Sequence, residues 1–587
     1  MITTETPHYD VIVIGSGFGG SVVSYRLAEA GQNVCLLERG QAYPPGSFPR
    51  NPYRMKSNFW DPSEGYYGLY DVWATSTVAG VIASGLGGGS LIFANVLLRK
   101  DERSFVTEDH TQEGYEYWPV TRADLEPHYD RVEQMLAPQP YPLDLPPYNG
   151  THRALALKSA AESLRLHWFA PKLAVTFAAG DIPSPGEPID EVIPNLHGRP
   201  RETCRLCAEC CFGCNYGSKN SLDLNYISLA KHLKANVRTL CEVRELRPRA
   251  DNKHGYLVRY VQHDLERAGR RTATHDPNML PLHTLSADQV VLAAGTYGST
   301  FLLMKNRSAL PGLSDCLGTK FSTNGDYLAF GTKCSWRHQG RRRQRIIESD
   351  FGTAITGAIR IPGPDGSTAS LDSYIEDLGY PAFVSWLLQA ADLPNTASAI
   401  SRLLPRIIAR RLDLGSAKNG DALNGDLATL FGSTELSAGL LPLIGVGRDR
   451  PNGRMYLDEG LLELSWNERR SAPYFERART MARAVVGALG GNYWDGQSGP
   501  FSYGVTMHPL GGCPMGLNSR QGVVDAHGEV FNHPGLFVAD GSVLPGPVGA
   551  NPSLTIAAVA DRTAERVLAA TKKRQTASGS GKHARKE

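Results

Sequence analysis

Four consecutive apolar residues, Val11 to Ile14, run into glycines at 15, 17 and 20. Apolar positions at helical spacing follow (Val22, Leu27 and Ala28), and a second apolar run, Val34 to Leu37, ends in Glu38. Short unbroken apolar runs predict strands buried on both faces, and the spacing between them predicts a helix. The segment therefore reads as strand, tight turn, helix, strand. A similar pattern returns at Asp288 to Met304, DQVVLAAGTYGSTFLLM, as a buried strand reaching Gly295 with a helix behind it. Between these two, residues 115 to 165 read as polar helices, Tyr226 to Lys234 as an amphipathic helix, and Val237 to Val243 as a strand.

From about 320 to 500 the pattern changes. Gly352 to Asp377 alternates with period two around Asp365-Gly366 and predicts a β-hairpin. Ala382 to Leu414 is apolar with a basic face formed by Arg402, Arg406, Arg410 and Arg411, which suits a surface helix, a segment lying on lipid or a cap over an apolar substrate tunnel. The basic run Arg341 to Arg345 reads as a solvated loop. Ala42 to Trp73, rich in proline and aromatic residues, reads as irregular structure covering a ligand. The C-terminal part predicts two short strands, a Gly/Pro-rich loop and a closing helix. Lys572 to Glu587, basic and poor in apolar residues, reads as a disordered tail.

The chain has 587 residues, too many for one core, so several units are expected. A formal net charge of +2 argues against binding nucleic acid through bulk charge. No apolar run is long enough to span a bilayer. The opening MITTETPHYD has neither a basic n-region nor an apolar h-region, which predicts a cytoplasmic protein.

The glycine pattern carries chemistry. Gly15 allows the tight turn, Gly17 lets backbone N–H groups approach a pyrophosphate, and Gly20 lets the helix pack on the strand. The helix N-terminus favours the anion, and Glu38, after the second strand, is placed to accept ribose hydroxyls. A second glycine run, Gly87-Gly88-Gly89 followed by Ser90, can lie flat against a planar or charged group. Five of the ten cysteines crowd into eleven residues. Cys204, Cys207, Cys210 and Cys214 have the spacing C-x2-C-x2-C-x3-C, with Cys211 in addition. That spacing holds an iron–sulfur cluster in bacterial ferredoxins, although here Asn215, not proline, follows the last cysteine. Zinc held by four thiolates and a reduced loop without metal are the other two readings.

Four blocks together resemble the glucose–methanol–choline (GMC) oxidoreductases, and most closely their cholesterol oxidase branch. They are GSGFGG from Gly15, GLGGGSL from Gly85, VLAAGTYGST from Val291, and HPLGGC with ADGSVLPGPVGANP between His508 and Pro552. The resemblance implies an α/β fold: a discontinuous Rossmann-type domain binding FAD, and a substrate domain with a mainly antiparallel sheet and helices. The implied division places FAD-binding parts at 1–110, 201–320 and 500–571. Connecting and substrate segments fall at 111–200 and 321–499, and the tail at 572–587.

By the same resemblance, Phe18, Gly19 and Glu38 contact the pyrophosphate and adenosine ribose, and Gly89 lies beside the isoalloxazine. The backbone of Val243 meets the adenine, and Asp540 and Gly541 close on the pyrophosphate. His508 and Asn551 match the family's active-site pair. Glu376 stands for the pocket glutamate that moves a proton as a double bond migrates, with Asp377 and Asp372 as alternatives. The family's asparagine after GGGSLV is Phe93 here, and Asn95 lies two residues on. The implied reaction is oxidation of an apolar alcohol such as a sterol, with oxygen or an external acceptor taking the electrons and peripheral membrane contact allowed. An FAD-dependent sugar or alcohol dehydrogenase and a flavin-dependent lyase or non-catalytic flavoprotein are the rival readings.

Overall fold

A computed structural model describes residues 6–109, 114–249, 254–268, 279–362, 373–382, 384, 438–495 and 504–583. Asn236–Arg238, Val34–Leu37, His8–Ile14, Leu282–Leu292 and Leu536–Val538 lie side by side in parallel. Tyr256–Gln262 and Cys241–Pro248 continue the sheet antiparallel beyond Leu282–Leu292. Val11 to Val13 and Val34 to Leu36 are fully buried, as both-face coverage requires. Helix Phe18–Glu29 packs with Tyr226–His232 and the closing helix Ser553–His583. One sheet is thus assembled from three distant stretches of chain, the discontinuous dinucleotide fold expected.

A second sheet has the order Trp168–Phe169, Ala358–Arg360, Tyr374–Asp377, Leu441–Val446, Tyr327–Thr332 and Asn492–Trp494, antiparallel throughout. Helices His152–Ser163 and Ala472–Ala488 share its apolar core. Ala358–Arg360 and Tyr374–Asp377 pair antiparallel as the alternation predicts. The Asp365-Gly366 tip, Asp372 and nearly all of Ala382 to Leu414 fall outside the described residues.

Four local expectations are corrected. Val237 to Val243 is not one strand: Asn236–Arg238 and Cys241–Pro248 belong to opposite ends of the sheet order, and Leu240, at φ 60°, makes the break. Arg341 to Arg345 is not a loop, because Arg341–Gln344 pairs with Ser335–His338 across a Gln339-Gly340 turn with φ of 48° and 76°. Positive φ at both turn residues matches the twist of a hairpin, whereas the exposed arginines hide it from a hydrophobicity reading. Ala42 to Trp73 is partly regular, holding the 3-10 helix Pro52–Asn58 and the strand Tyr70–Ala74. The closing helix continues to His583, into the supposed tail, because a packed helix is easily extended by good helix formers such as Lys572, Lys573 and Arg574. Among the described residues no helix is long and apolar enough to cross a membrane.

Candidate active site and cofactor cradle

The glycines divide into two groups by what a side chain there would meet. A Cβ at Gly15 (φ 97°) would lie 2.4 Å from the Ala293 carbonyl oxygen, one at Gly20 1.9 Å from that of Gly15, and one at Gly19 1.5 Å from that of Ala539. These three let strand, helix and the C-terminal segment close on one another. Gly17, Gly89 and Gly295 are different, since nothing among the described residues lies within 4 Å of a Cβ built there. Gly17 caps helix Phe18–Glu29 and so faces this space with the helix N-terminus.

Acidic residues fix the walls. Glu38 is buried, and its Oε2 accepts from the Ser16 N–H at 3.1 Å and the Ser16 hydroxyl at 2.6 Å, its Oε1 from the Gly40 N–H at 2.8 Å. Burial pushes its pKa up against those donors. Asp540 accepts from the Gly295 N–H at 2.9 Å and Ser299 Oγ at 2.5 Å through Oδ2, and from the Ser542 N–H and hydroxyl through Oδ1. It thereby holds Gly541 and the Gly295 turn at the end of the first helix. Val243 is buried in Cys241–Pro248. Bare glycines, a helix N-terminus and inward-held turns form a cradle that Cβ atoms would fill, and this fits a dinucleotide such as FAD.

His508 follows the strand Gly504–Thr506, and its Nδ1 lies 2.7 Å from Asp326 Oδ1. The other Asp326 oxygen accepts from Thr506 Oγ1 at 2.9 Å, the Met507 N–H at 2.8 Å and the His508 N–H at 3.0 Å. Burial disfavours the imidazolium, but Asp326, with Glu376 behind it, outweighs this and raises the His508 pKa. Asn551 Nδ2 donates to Glu376 Oε2 at 3.2 Å, so residues 175 positions apart meet. Glu376 Oε1 and Asn551 Oδ1 are buried with no hydrogen-bond partner among the described residues. Burial pushes the Glu376 carboxyl up to about 7, opposed by Asn551 and His508.

The structure thus brings His508, Asn551 and Glu376 together and separates Asp377 from them. Asp377 accepts from Arg153 Nε at 2.5 Å, Thr356 N–H and hydroxyl, and the Gly357 N–H. It is a saturated structural carboxylate. Two participants escaped the sequence reading. Asp326 holds His508, and Asn324 accepts from the Val548 and Gly549 N–H groups while donating to the Ala550 carbonyl, which fixes the loop presenting Asn551. Their only local signal is Asn324-Gly325-Asp326, which reads as an ordinary turn. Phe93, in place of the family's asparagine, stacks edge-on against Phe18 at 5.3 Å, and Asn95 is buried at φ 73°.

Cys204, Cys207, Cys210, Cys211 and Cys214 are all free thiols, and four of them line one cavity. A tetrahedral zinc site with bonds of about 2.3 Å needs its sulfurs about 3.8 Å apart. Among the described residues no three of these sulfurs lie within 4.8 Å of one another; only His128, Asp561 and Glu565 form such a group. That group is filled by Arg131, which donates to Asp561 and Glu565 and lies 2.7 Å from His128 Nδ1.

A family model described as GMC oxidoreductase matches residues 494–560, and one described as FAD binding domain matches residues 10–44. The chain is 29% identical over 575 residues to a cholesterol oxidase of Mycobacterium tuberculosis, covering 95% of this chain and 91% of that one. It is 26% identical to a cholesterol oxidase of Acinetobacter baumannii, covering 96% and 94%. The crystal structure of pyridoxine 4-oxidase from Mesorbium loti superposes with a TM-score of 0.54 at 15% identity, over 95% of this chain and 99% of that one, and so shares the fold. Cradle, sheet topology and these likenesses along the chain agree: it is similar to the GMC oxidoreductases over nearly its whole length and is an FAD-dependent enzyme acting on the CH–OH group of its donor.

Proposed function

We propose that the enzyme oxidises a 3-hydroxysteroid of the cholesterol type, with oxygen as electron acceptor, and then shifts the adjacent double bond. The observation that carries this reading is the buried Glu376 carboxyl, one oxygen of which has no partner among the described residues and lies beside Asn551. The cholesterol oxidase names of both full-length relatives support the substrate class.

FAD, when bound, supplies the hydride acceptor. The protein supplies proton handling. Asp326 keeps a proton on His508 Nδ1, which leaves Nε2 of the neutral ring as the base for the substrate hydroxyl proton. The second N–H of Asn551 orients the substrate oxygen. Glu376 then takes a proton from the carbon next to the new carbonyl and returns it two carbons away, so that the double bond becomes conjugated. A carboxyl with a pKa of about 7 is suited to both halves of that exchange.

Anaerobic addition of cholesterol to FAD-loaded protein is expected to bleach the flavin and yield a conjugated enone. Glu376→Gln should still bleach it but release the unconjugated ketone. If no 3-hydroxysteroid bleaches the flavin while a sugar or small alcohol does, the sterol reading is lost. A dehydrogenase using an external acceptor is favoured by one observation, the cysteine-lined cavity close to the Gly89 turn.

A further inference from the structure

Among the described residues only two lysines are buried, Lys100 and Lys219, at 0% and 2% exposed. Both ammonium groups donate to backbone carbonyls. Lys100 Nζ reaches Pro547 at 2.9 Å and Val548 at 3.1 Å, in the loop presenting Asn551. Lys219 Nζ reaches Leu91, Phe93 and Cys210 at 3.0, 2.8 and 2.9 Å and lies 4.6 Å from the centre of the Phe93 ring. Phe93 in turn meets Phe18, the first residue of the helix that follows Gly17.

The chain from Gly87 to Lys100 traces one wall of the cradle. It begins where the Gly87 N–H donates to Ser16 Oγ, the hydroxyl that Glu38 accepts. It passes Gly88, where a Cβ would lie 2.5 Å from Gly17 Cα, and then Gly89, where that position is open among the described residues. It ends against the Asn551 loop. Leu91 and Phe93 thus belong to the part of the wall between the Gly17 turn and the group of His508, Asn551 and Glu376, and Lys219 stands behind them.

The Lys219 charge has no matching anion. Among the described residues no carboxylate pairs with it, and Asp223, the carboxylate that acts on it, is engaged by His197 Nε2 at 2.8 Å. Burial pushes up the thiols of Cys210 and Cys211, the second to about 12, so neither supplies a thiolate. Burial also pushes Lys219 down to about 8, opposed by these neighbours, and the ammonium stays charged at neutral pH. A buried cation is costly without an anion, and its field carries further through a low-dielectric interior than through water. A fixed cation without a resident anion fits a negative charge that arrives only during turnover.

We propose that the Lys219 ammonium, set behind Leu91 and Phe93, stabilises the negative charge that the flavin ring gains with the hydride, and so makes the bound FAD a stronger oxidant. In that step the substrate C–H bond breaks, its electron pair and hydrogen pass to the ring, and the hydroxyl proton passes to His508. The inference rests on FAD-dependent oxidation at His508 and Asn551, not on which alcohol reacts.

The test is the sulfite affinity and the two-electron midpoint potential of full-length, FAD-loaded protein at neutral pH. Sulfite adds to oxidised flavin and leaves the ring negatively charged, so it reads the same field with no substrate present. Lys219→Gln keeps a donor for the carbonyls but removes the charge, and Lys219→Arg keeps the charge. Lys219→Gln should bind sulfite about tenfold more weakly and show a potential lower by the equivalent of about 30 mV. Lys219→Arg should stay near the wild-type values in both. Should Lys219→Gln purify without FAD, Lys219→Met is the second neutral variant, with the same expected losses. A neutral variant that retains FAD with wild-type sulfite affinity and potential would overturn the proposal. So would a fall in Lys219→Arg as large as that in Lys219→Gln, which would make Lys219 a structural tether alone. Failure of sterols to bleach the flavin leaves both readouts untouched.

Discussion

A single 2.7 Å contact between Asp326 and His508 sets how the candidate base responds to pH. The neutral ring is the active form, and Asp326 raises the pKa, so protonation silences the base from a higher pH downward. We expect kcat/KM to rise with pH and to level off above an apparent pKa higher than that of an ordinary histidine. Asp326→Asn should move the rise to lower pH and lower the plateau by about a hundredfold. An unchanged profile and plateau would remove Asp326 from the mechanism. His508 and Asn551 were legible because each sits in a dense run of glycine and proline with fixed spacing. Asp326 was not, since its partner lies 182 residues away and nothing local marks a buried acid. Glu376 and Asp377 show a further limit of sequence. Period two puts neighbours on opposite faces, but it does not say which face becomes the pocket.

Among elements, the turn from His8–Ile14 into Phe18–Glu29 was readable almost completely, because glycine is required there by contacts and by open space. The two kinds of glycine can be separated by experiment. Gly17→Ala adds a methyl to open space, so the protein should fold with near-normal thermal stability but purify with little FAD. Gly19→Ala drives a methyl into the Ala539 carbonyl and should destabilise the flavin-free protein by about 1–3 kcal/mol or more. If both variants bind FAD normally, the cradle is misassigned. The break at Leu240 and the hairpin Ser335–His338/Arg341–Gln344 were missed for different reasons. The first depends on which sheet edge is free, a tertiary matter. The second has polar residues on both faces, so it carries no hydrophobic period to detect.

Across the whole molecule, the Arg153–Asp377 pair, fully buried on both sides, ties helix His152–Ser163 to the sheet strand carrying Glu376. Arg153 also donates to the carbonyls of Ser349, Phe351 and Thr353. Arg153→Met leaves a buried carboxylate unpaired and should cost about 3–5 kcal/mol. The double variant with Asp377→Leu should recover part of this, as read by thermal unfolding of the FAD-loaded enzyme. Equal stability of wild type and Arg153→Met would mean that the pair is not the fastening it appears in the fold. The two-sheet architecture was legible from the change of texture near residue 320. The strand Trp168–Phe169, contributed from far upstream, was not, since two residues carry no period.

The strand Leu536–Val538, which closes the parallel sheet against Leu282–Leu292, has a consequence for biosynthesis. During translation the first helix emerges early, yet the Ala539 carbonyl against Gly19 and the Asp540 carboxylate that draws in the Gly295 turn arrive only near the end of the chain. A nascent polypeptide on the ribosome therefore carries an unfinished nucleotide site for more than five hundred residues of growth. A premature stop before Leu536 yields no smaller flavoprotein, only a chain with its sheet edge bare and exposed to association with others of its kind.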